Sequence, residues 1–330
     1  MQAPSPDHWR QLRPRHVIIW QRKGGDYVHE HKPYFDEGLI RTLELGFEAA
    51  QGINVTRGFF HSSQRNSPRS VPKGIGAGDI FIFVGMFTRE IGWSQMGHLG
   101  VRRVFFQTEP VDNCSSPAGL PIERRALIDE IWDFSEHNLE KCRILPYRPV
   151  LRHVPLGYIE GAAQASKPRN GTGPLFFFGN HLEPGRRRCC RALRLQLRAH
   201  NFVHRFDVFN DASFVSKVLN NYNVFVNIHK VCGDPHSPVT FRAAKILNAG
   251  KLLISERAHP HDEKQYDGVI LFVDNITAAY RRIVADGDWQ ARAAVGVAAF
   301  RRRFQPVDLF ERAGIYADFG LRRDQFGRFT

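Results

Sequence analysis

No stretch of this chain approaches the roughly 18 consecutive apolar residues that a membrane-crossing helix requires. The first 15 residues are polar, include Pro4, Pro6 and Pro14, and lack the apolar centre of a secretion signal. Cysteine is sparse: Cys114, Cys142, Cys189, Cys190 and Cys232, with no CxxC pair. A zinc ribbon and a thioredoxin-like dithiol are thereby excluded. An odd cysteine count in a chain of this size suits a reducing compartment, with all five as structural or surface thiols. There is no G-x-x-x-x-G-K-[ST] phosphate loop and no helical H-E-x-x-H zinc motif. Short-period repeats and long low-complexity segments are also missing. Negative charge is the scarcer sign, with 33 acidic against 46 basic side chains. These absences point to a cytoplasmic protein, with peripheral contact at a membrane surface left open.

The charge imbalance is itself informative. A net charge of +13 favours acidic partners: nucleotide phosphates, nucleic acid, anionic glycans or an anionic membrane. Charge alone does not choose among them. With 330 residues and 42% hydrophobic content, the chain is long enough for two domains with separate cores.

Apolar runs alternate with helical periodicities. HVIIW (His16–Trp20) reads as a first strand, followed by a glycine turn at Gly24-Gly25. Phe35, Leu39, Leu43, Phe47 and Ala50 recur at helical spacing and predict a helix over 33–50. Strands are expected at 53–59, 79–86, 101–107 and 130–134, and helices at 122–129 and 135–142. Residues 146–155 are proline-rich and extended, and the polar, glycine-rich stretch 156–174 reads as a linker. The pattern then restarts, with strands at 175–178, 202–209, 224–228, 251–255 and 269–273. Helices are expected at 186–199, 211–219, 239–248, 276–286 and 289–304. Two successive α/β sets predict two Rossmann-like domains facing a cleft, over 1–155 and 156–305, with a tail over 306–330.

Three constellations could carry chemistry. In FFFGNHLEPGRRRCCRAL, a strand runs through Gly179 and Asn180 into an arginine-headed helix. Free N–H groups at a helix start attract phosphate. Arg186, Arg187 and Arg188 add charge-assisted contacts, which suits a diphosphate. The same arginines would also make an ordinary solvated face. The second constellation spans Val224 to Glu256: strand, polar loop, helix, glycine stop, strand. Ligands of open parallel sheets bind outside the carboxyl ends of the strands. His229, Lys230, Ser237, Thr240 and Arg242 are therefore candidates for ribose and phosphates, and Ser255 and Glu256 for hydroxyl contacts. Third, Asp26 and Glu109 each follow an expected strand, and either carboxylate could act as general base on a hydroxyl. For Glu109, a salt bridge to a nearby arginine is the competing role. HPHDE (His259–Glu263) has the residue types of a metal cluster without its spacing, so no metal is expected.

Taken in order, these pieces resemble nucleotide-sugar-dependent glycosyltransferases of the GT-B type, especially bacterial and viral members. PLGY (Pro155–Tyr158), FFFGN followed by RRR, VNIH with its polar loop, FRAAKILNAGKLLISE and YDGVILFV (Tyr266–Val273) carry the resemblance. FQTEP and IWDFSEHN resemble landmarks of the first domain of the same group. A pattern like NIH…E-x-x-R…G…SE recurs in the donor domain of such enzymes. Asn227, Ile228, His229, Arg242, Gly250, Ser255 and Glu256 match it. Val239 stands where that pattern has an acid, and 239–247 do not supply the two glutamates of an E-x7-E motif. The resemblance implies an acceptor site in the first domain, a donor site in the second and a tail that packs back on the first. It implies transfer of a sugar from a nucleotide-diphosphate sugar to a hydroxyl of a glycan, a lipid-linked glycan or a modified nucleic-acid base. No metal and no further cofactor are expected, because fixed cations would stabilise the departing diphosphate. Inversion and retention both stay open. The competing expectation is a basic nucleic-acid-binding protein without catalysis, although RRM, KH and zinc-finger signatures are missing.

Overall fold

In the computed structural model the described residues are 14–22, 37–60, 71–85, 93–108, 127–143, 149–161, 175–176, 184–197, 222–229, 240–324 and 329. They form two compact units: Met1–Pro155 with Pro306–Thr330, and Leu156–Gln305.

Among the described residues the first unit is built on six strands: β1 (His16–Arg22), β2 (Asn54–Phe60), β3 (Ile80–Val84), β4 (Arg102–Gln107), β5 (Glu130–Asp133) and β6 (Val150–His153). All are parallel, in the order β2-β1-β3-β4-β5-β6. A parallel sheet is covered on both faces, which is why β3 is an unbroken apolar run, IFIFV, buried at every residue. Strand order reverses between β1 and β3, the place where such sheets bind ligands. Helices α1 (Glu37–Glu48), α2 (Trp93–His98) and α3 (Glu136–Cys142) lie between successive strands. Leu39, Leu43 and Phe47 of α1 are buried, and Phe47 stacks on Trp132 with centroids 6.1 Å apart. Trp93 and Met96 of α2 pack with Phe81, Phe83 and Phe105. Ser135 caps α3, its hydroxyl accepting from the Asn138 N–H at 3.2 Å.

The last segment completes this unit through α9 (Pro306–Arg312) and α10 (Ile315–Asp318). Phe310 meets Phe47 edge to face at 4.9 Å, and the Tyr316 hydroxyl donates to the Gly46 carbonyl. Beside them sits a buried charge network. Glu130 is 1% exposed and accepts from Arg152 Nε at 2.5 Å and from Trp132 Nε1 at 2.7 Å. Glu130 also pairs with Arg102, and Asp318 pairs with Arg152. Arg152 Nη1 donates to the Ala313 carbonyl at 2.7 Å, so α10 is held by both charge and backbone.

The second unit has four parallel strands among the described residues, ordered β10-β9-β8-β7. They are β7 (Leu175–Phe176), β8 (Val224–Asn227), β9 (Leu252–Glu256) and β10 (Leu271–Val273). Its helices are α4 (Pro184–Leu197), α5 (Thr240–Asn248), α6 (Pro260–Gln265), α7 (Ile276–Asp286) and α8 (Trp289–Arg303). Val224, Val226, Leu252 and Ile254 pack against Leu193 of α4, Ile283 of α7 and Ala293 of α8. Asn275 caps α7, accepting from Ala278 N–H at 2.9 Å, and Gly287 closes it at φ 67°.

Several expectations change. Residues 156–159, read as linker, are packed: Tyr158 N–H donates to Phe304 O at 2.7 Å and Ile159 N–H to Asn248 Oδ1 at 2.9 Å. The apolar residues Leu156 and Ile159 are buried, which anchors a stretch whose glycines suggested looseness. Residues 127–129 are turn and bend rather than helix. Helices α2, α6, α9 and α10 escaped prediction because each is too short to show a helical period. The strand expected at 202–209 and the helix at 211–219 lie outside the described residues. Cys142 and Cys189 are disulfide-bonded, contrary to the expectation of thiols. Among the described residues no helix is long and apolar enough to cross a membrane.

Candidate functional site

β8 and β9 end side by side, and their register pairs Asn227 with Ser255. Both side chains are buried, and Asn227 Nδ2 donates to Ser255 Oγ at 3.0 Å. A buried amide left without a partner would cost about 1–3 kcal/mol, so this bond fixes the two strand ends against each other. One step further along, His229 N–H donates to Glu256 Oε2 at 2.7 Å. The His229 ring is buried, and its Nε2 donates to the Arg257 carbonyl at 2.9 Å. A carbonyl can only accept, so the proton sits on Nε2. Glu256 itself is only half-buried at the tip of β9. The result is a carboxylate aimed by a backbone N–H at the carboxyl edge of a parallel sheet.

The next residues extend the cluster. Arg257 lies 2.8 Å from Glu263 and 3.7 Å from Asp274, which bridges the end of β9 to the end of β10. Glu263 also accepts from Ala258 N–H at 2.7 Å, tying down the turn that enters α6. His259 precedes that helix and Pro260 occupies its first turn, where a missing N–H costs little. The His259 and His261 rings meet edge to face at 5.2 Å, which gives the two histidines of HPHDE a packing role.

A helix that follows a parallel strand runs back across the sheet, so α4 and α5 begin at this same edge of the second unit. Their first N–H groups and positive dipole ends favour an anion. Arg186 lies in the first turn of α4, and Arg187 and Arg188 are exposed beside it. Thr240 opens α5 and Arg242 lies in its first turn.

The structure thus brings His229, Ser255 and Glu256 into one cluster. Ser255 is buried and engaged by Asn227, so it aligns the strand end. Gly179, Asn180, Lys230, Ser237, Asp26 and Glu109 lie outside the described residues. The strands before Asp26 and Glu109 do end at the carboxyl edge of the first sheet, at Arg22 and Gln107. Sequence reasoning missed Arg257, Glu263 and Asp274. Their signal was position: a cation directly after Glu256, with acids just beyond two strand ends.

No protein-family model matches the sequence, and no curated protein matches it. Solved structures do. Sucrose-phosphate synthase from Thermosynechococcus elongatus is similar at a TM-score of 0.55 with 12% identity, over 92% of this chain and 98% of that one. The E. coli protein described as "Trehalose-6-phosphate from E. coli bound with UDP-2-fluoro glucose" is similar at 0.60 with 9% identity, over 92% and 98%. An alpha-glucosyltransferase in complex with UDP-glucose and DNA containing an abasic site is similar at 0.59 with 10% identity, over 92% and 99%. At such identities the likeness concerns the fold. The chain has the α/β GT-B fold of these glycosyltransferases.

Proposed function

We propose that this chain transfers a sugar from a nucleotide-diphosphate sugar to a hydroxyl acceptor. Glycans, lipid-linked glycans and modified nucleic-acid bases are the acceptor classes that its charge suits. One observation carries the reading. Glu256, held by His229 N–H at 2.7 Å, stands at the carboxyl edge of the second sheet, where α4 and α5 begin. UDP-2-fluoro glucose and UDP-glucose in two of the similar structures make UDP-sugars the first donors to try.

In this reading Glu256 accepts hydrogen bonds from ribose or sugar hydroxyls. The bonds Asn227–Ser255 and His229–Arg257 keep that carboxylate in place. The diphosphate lies against the start of α4, with Gly179, Asn180, Arg186, Arg187 and Arg188, and against the start of α5, with Lys230, Ser237, Thr240 and Arg242. The acceptor oxygen attacks the anomeric carbon and the carbon–oxygen bond to the diphosphate breaks. Fixed cations and helix N–H groups take up the charge that develops on the leaving group, so no metal is needed in principle. If the reaction inverts, Asp26 or Glu109 removes the acceptor proton. The cytoplasm, with peripheral access to a membrane for a lipid-linked acceptor, is the setting this reading expects.

A thermal-shift panel of UDP, GDP, CMP and their sugars tests it. A ligand at 100 times its Kd stabilises by about 2.7 kcal/mol. For a unit of this size that is a rise of roughly 5–10 °C. A flat panel across all of these ligands would remove the enzyme reading.

A further inference from the structure

α4 carries five arginines and no acidic residue. Its apolar side is used by the core: Leu193 is buried, and Cys189 packs against the same cluster with β8 and α7. The opposite side presents Arg187, Arg188 and Arg191 to solvent. None of these three is in an ion pair among the described residues. Arg187 and Arg191 stand at i and i+4, a like-charge spacing that works against the helix itself. α7 covers the same face of the sheet beside α4 and adds exposed Arg281 and Arg282, of which Arg282 lies 3.6 Å from Asp286.

We propose that this face of the second unit docks the phosphate backbone of nucleic acid, in the form of duplex DNA. An interfacial helix sinks its apolar side into a bilayer. In α4 that side already lies on the sheet, and among the described side chains Leu195 is the large apolar one left beside the outward arginines. Beyond the diphosphate end of α4 the cations continue at Arg191, about 6 Å along the helix from Arg187, and on α7 at Arg281 and Arg282, and so match serial charge. Arginine is also the side chain that pairs best with backbone phosphate, and such contacts position a duplex without reading its sequence. The docking stands by itself; its extension, that the acceptor is nucleic acid, rests on the transferase reading.

The test is fluorescence anisotropy of the full chain with a labelled duplex of about 20 base pairs, across a salt series. Arg191→Gln combined with Arg281→Gln is the variant, since neither residue belongs to the proposed donor site. We expect wild-type log K to fall linearly with log salt, and the variant to lose about 2 from that slope and roughly tenfold in affinity. Its melting temperature and its nucleotide-induced shift should stay at wild-type values, which separates lost docking from misfolding and from a damaged donor site. Absence of duplex binding at low salt, or an unchanged slope in the variant, would overturn the proposal. So would capture by phosphatidylcholine–phosphatidylserine vesicles without duplex binding. Duplex binding without any nucleotide-sugar response would sink the transferase reading and leave the docking intact.

Discussion

Replacing Glu130 by glutamine tests the charge network that holds the closing segment in the first unit. The substitution keeps the shape and removes one negative charge. Glu130 has 1% of its side chain exposed, Arg102 8% and Arg152 6%, so both guanidinium groups are taken almost wholly out of water. Without the carboxylate, those two cations share Asp318, which is 25% exposed and 3.5 Å from Arg102. Removing one member of a buried pair costs about 3–5 kcal/mol, because the remaining charge is left uncompensated. At 2–4 °C per kcal/mol for a unit of this size, the midpoint should fall by roughly 6–20 °C. Differential scanning calorimetry reads that shift directly. Proteolysis should also reach the 313–324 segment sooner, since Arg152 binds both Ala313 and Asp318. A loss below about 1 kcal/mol for Glu130→Gln would refute this reasoning.

Three more outcomes follow from the same structure. A Cβ on Gly46 would lie 2.5 Å from the Phe310 ring, so Gly46→Ala should cost about 1–3 kcal/mol by denaturant midpoint. Adding Phe310→Leu should return part of that loss. Burial works against the Glu44 carboxylate, but the hydrogen bonds from Arg57 and Arg41 outweigh it and hold Glu44 below the usual range. Its folded pKa is depressed, so its stabilisation is present above about pH 4.3 and lost as pH falls through the lower folded value. Glu44→Gln should flatten acid unfolding curves in that window. Burial pulls Lys245 down to about 8. The unfolded chain then binds the extra proton between that value and about 10.4, so stability rises with pH across the window. Lys245→Met should reduce that rise in pH-dependent melting, leaving the smaller part from Lys251, which burial also pulls down.

The fold was legible wherever burial wrote itself into local pattern. IFIFV and LLISE announced covered parallel strands, and the restart at Leu175 announced a second sheet. The helix of 240–248 showed its period, and Gly250, at φ 73°, showed its stop. What escaped depends on distant partners. Arg152 and Asp318 are 166 residues apart, and nothing near either one signals the other. α6 is six residues of polar sequence, PHDEKQ, whose buried Asp262 gives no periodic signal. The disulfides of Cys142 and Cys189 were hidden for the same reason: spacing along the chain says nothing about pairing across it. At the candidate site, Ser255 and Glu256 were legible because they end a strand. That Asn227 occupies Ser255, and that His229 aims Glu256, needed the register of two strands.

The central claim is a nucleotide-sugar site at the carboxyl edge of the second sheet, with Glu256 as its hydroxyl acceptor. Titration calorimetry of UDP-glucose and the other nucleotide sugars against wild-type and Glu256→Gln proteins tests it most directly. One nucleotide sugar should bind the wild type, and the variant should lose about 1.5–3 kcal/mol of affinity, the worth of hydrogen bonds to a charged group. Equal affinity in the two proteins, or no binding by either, would contradict it.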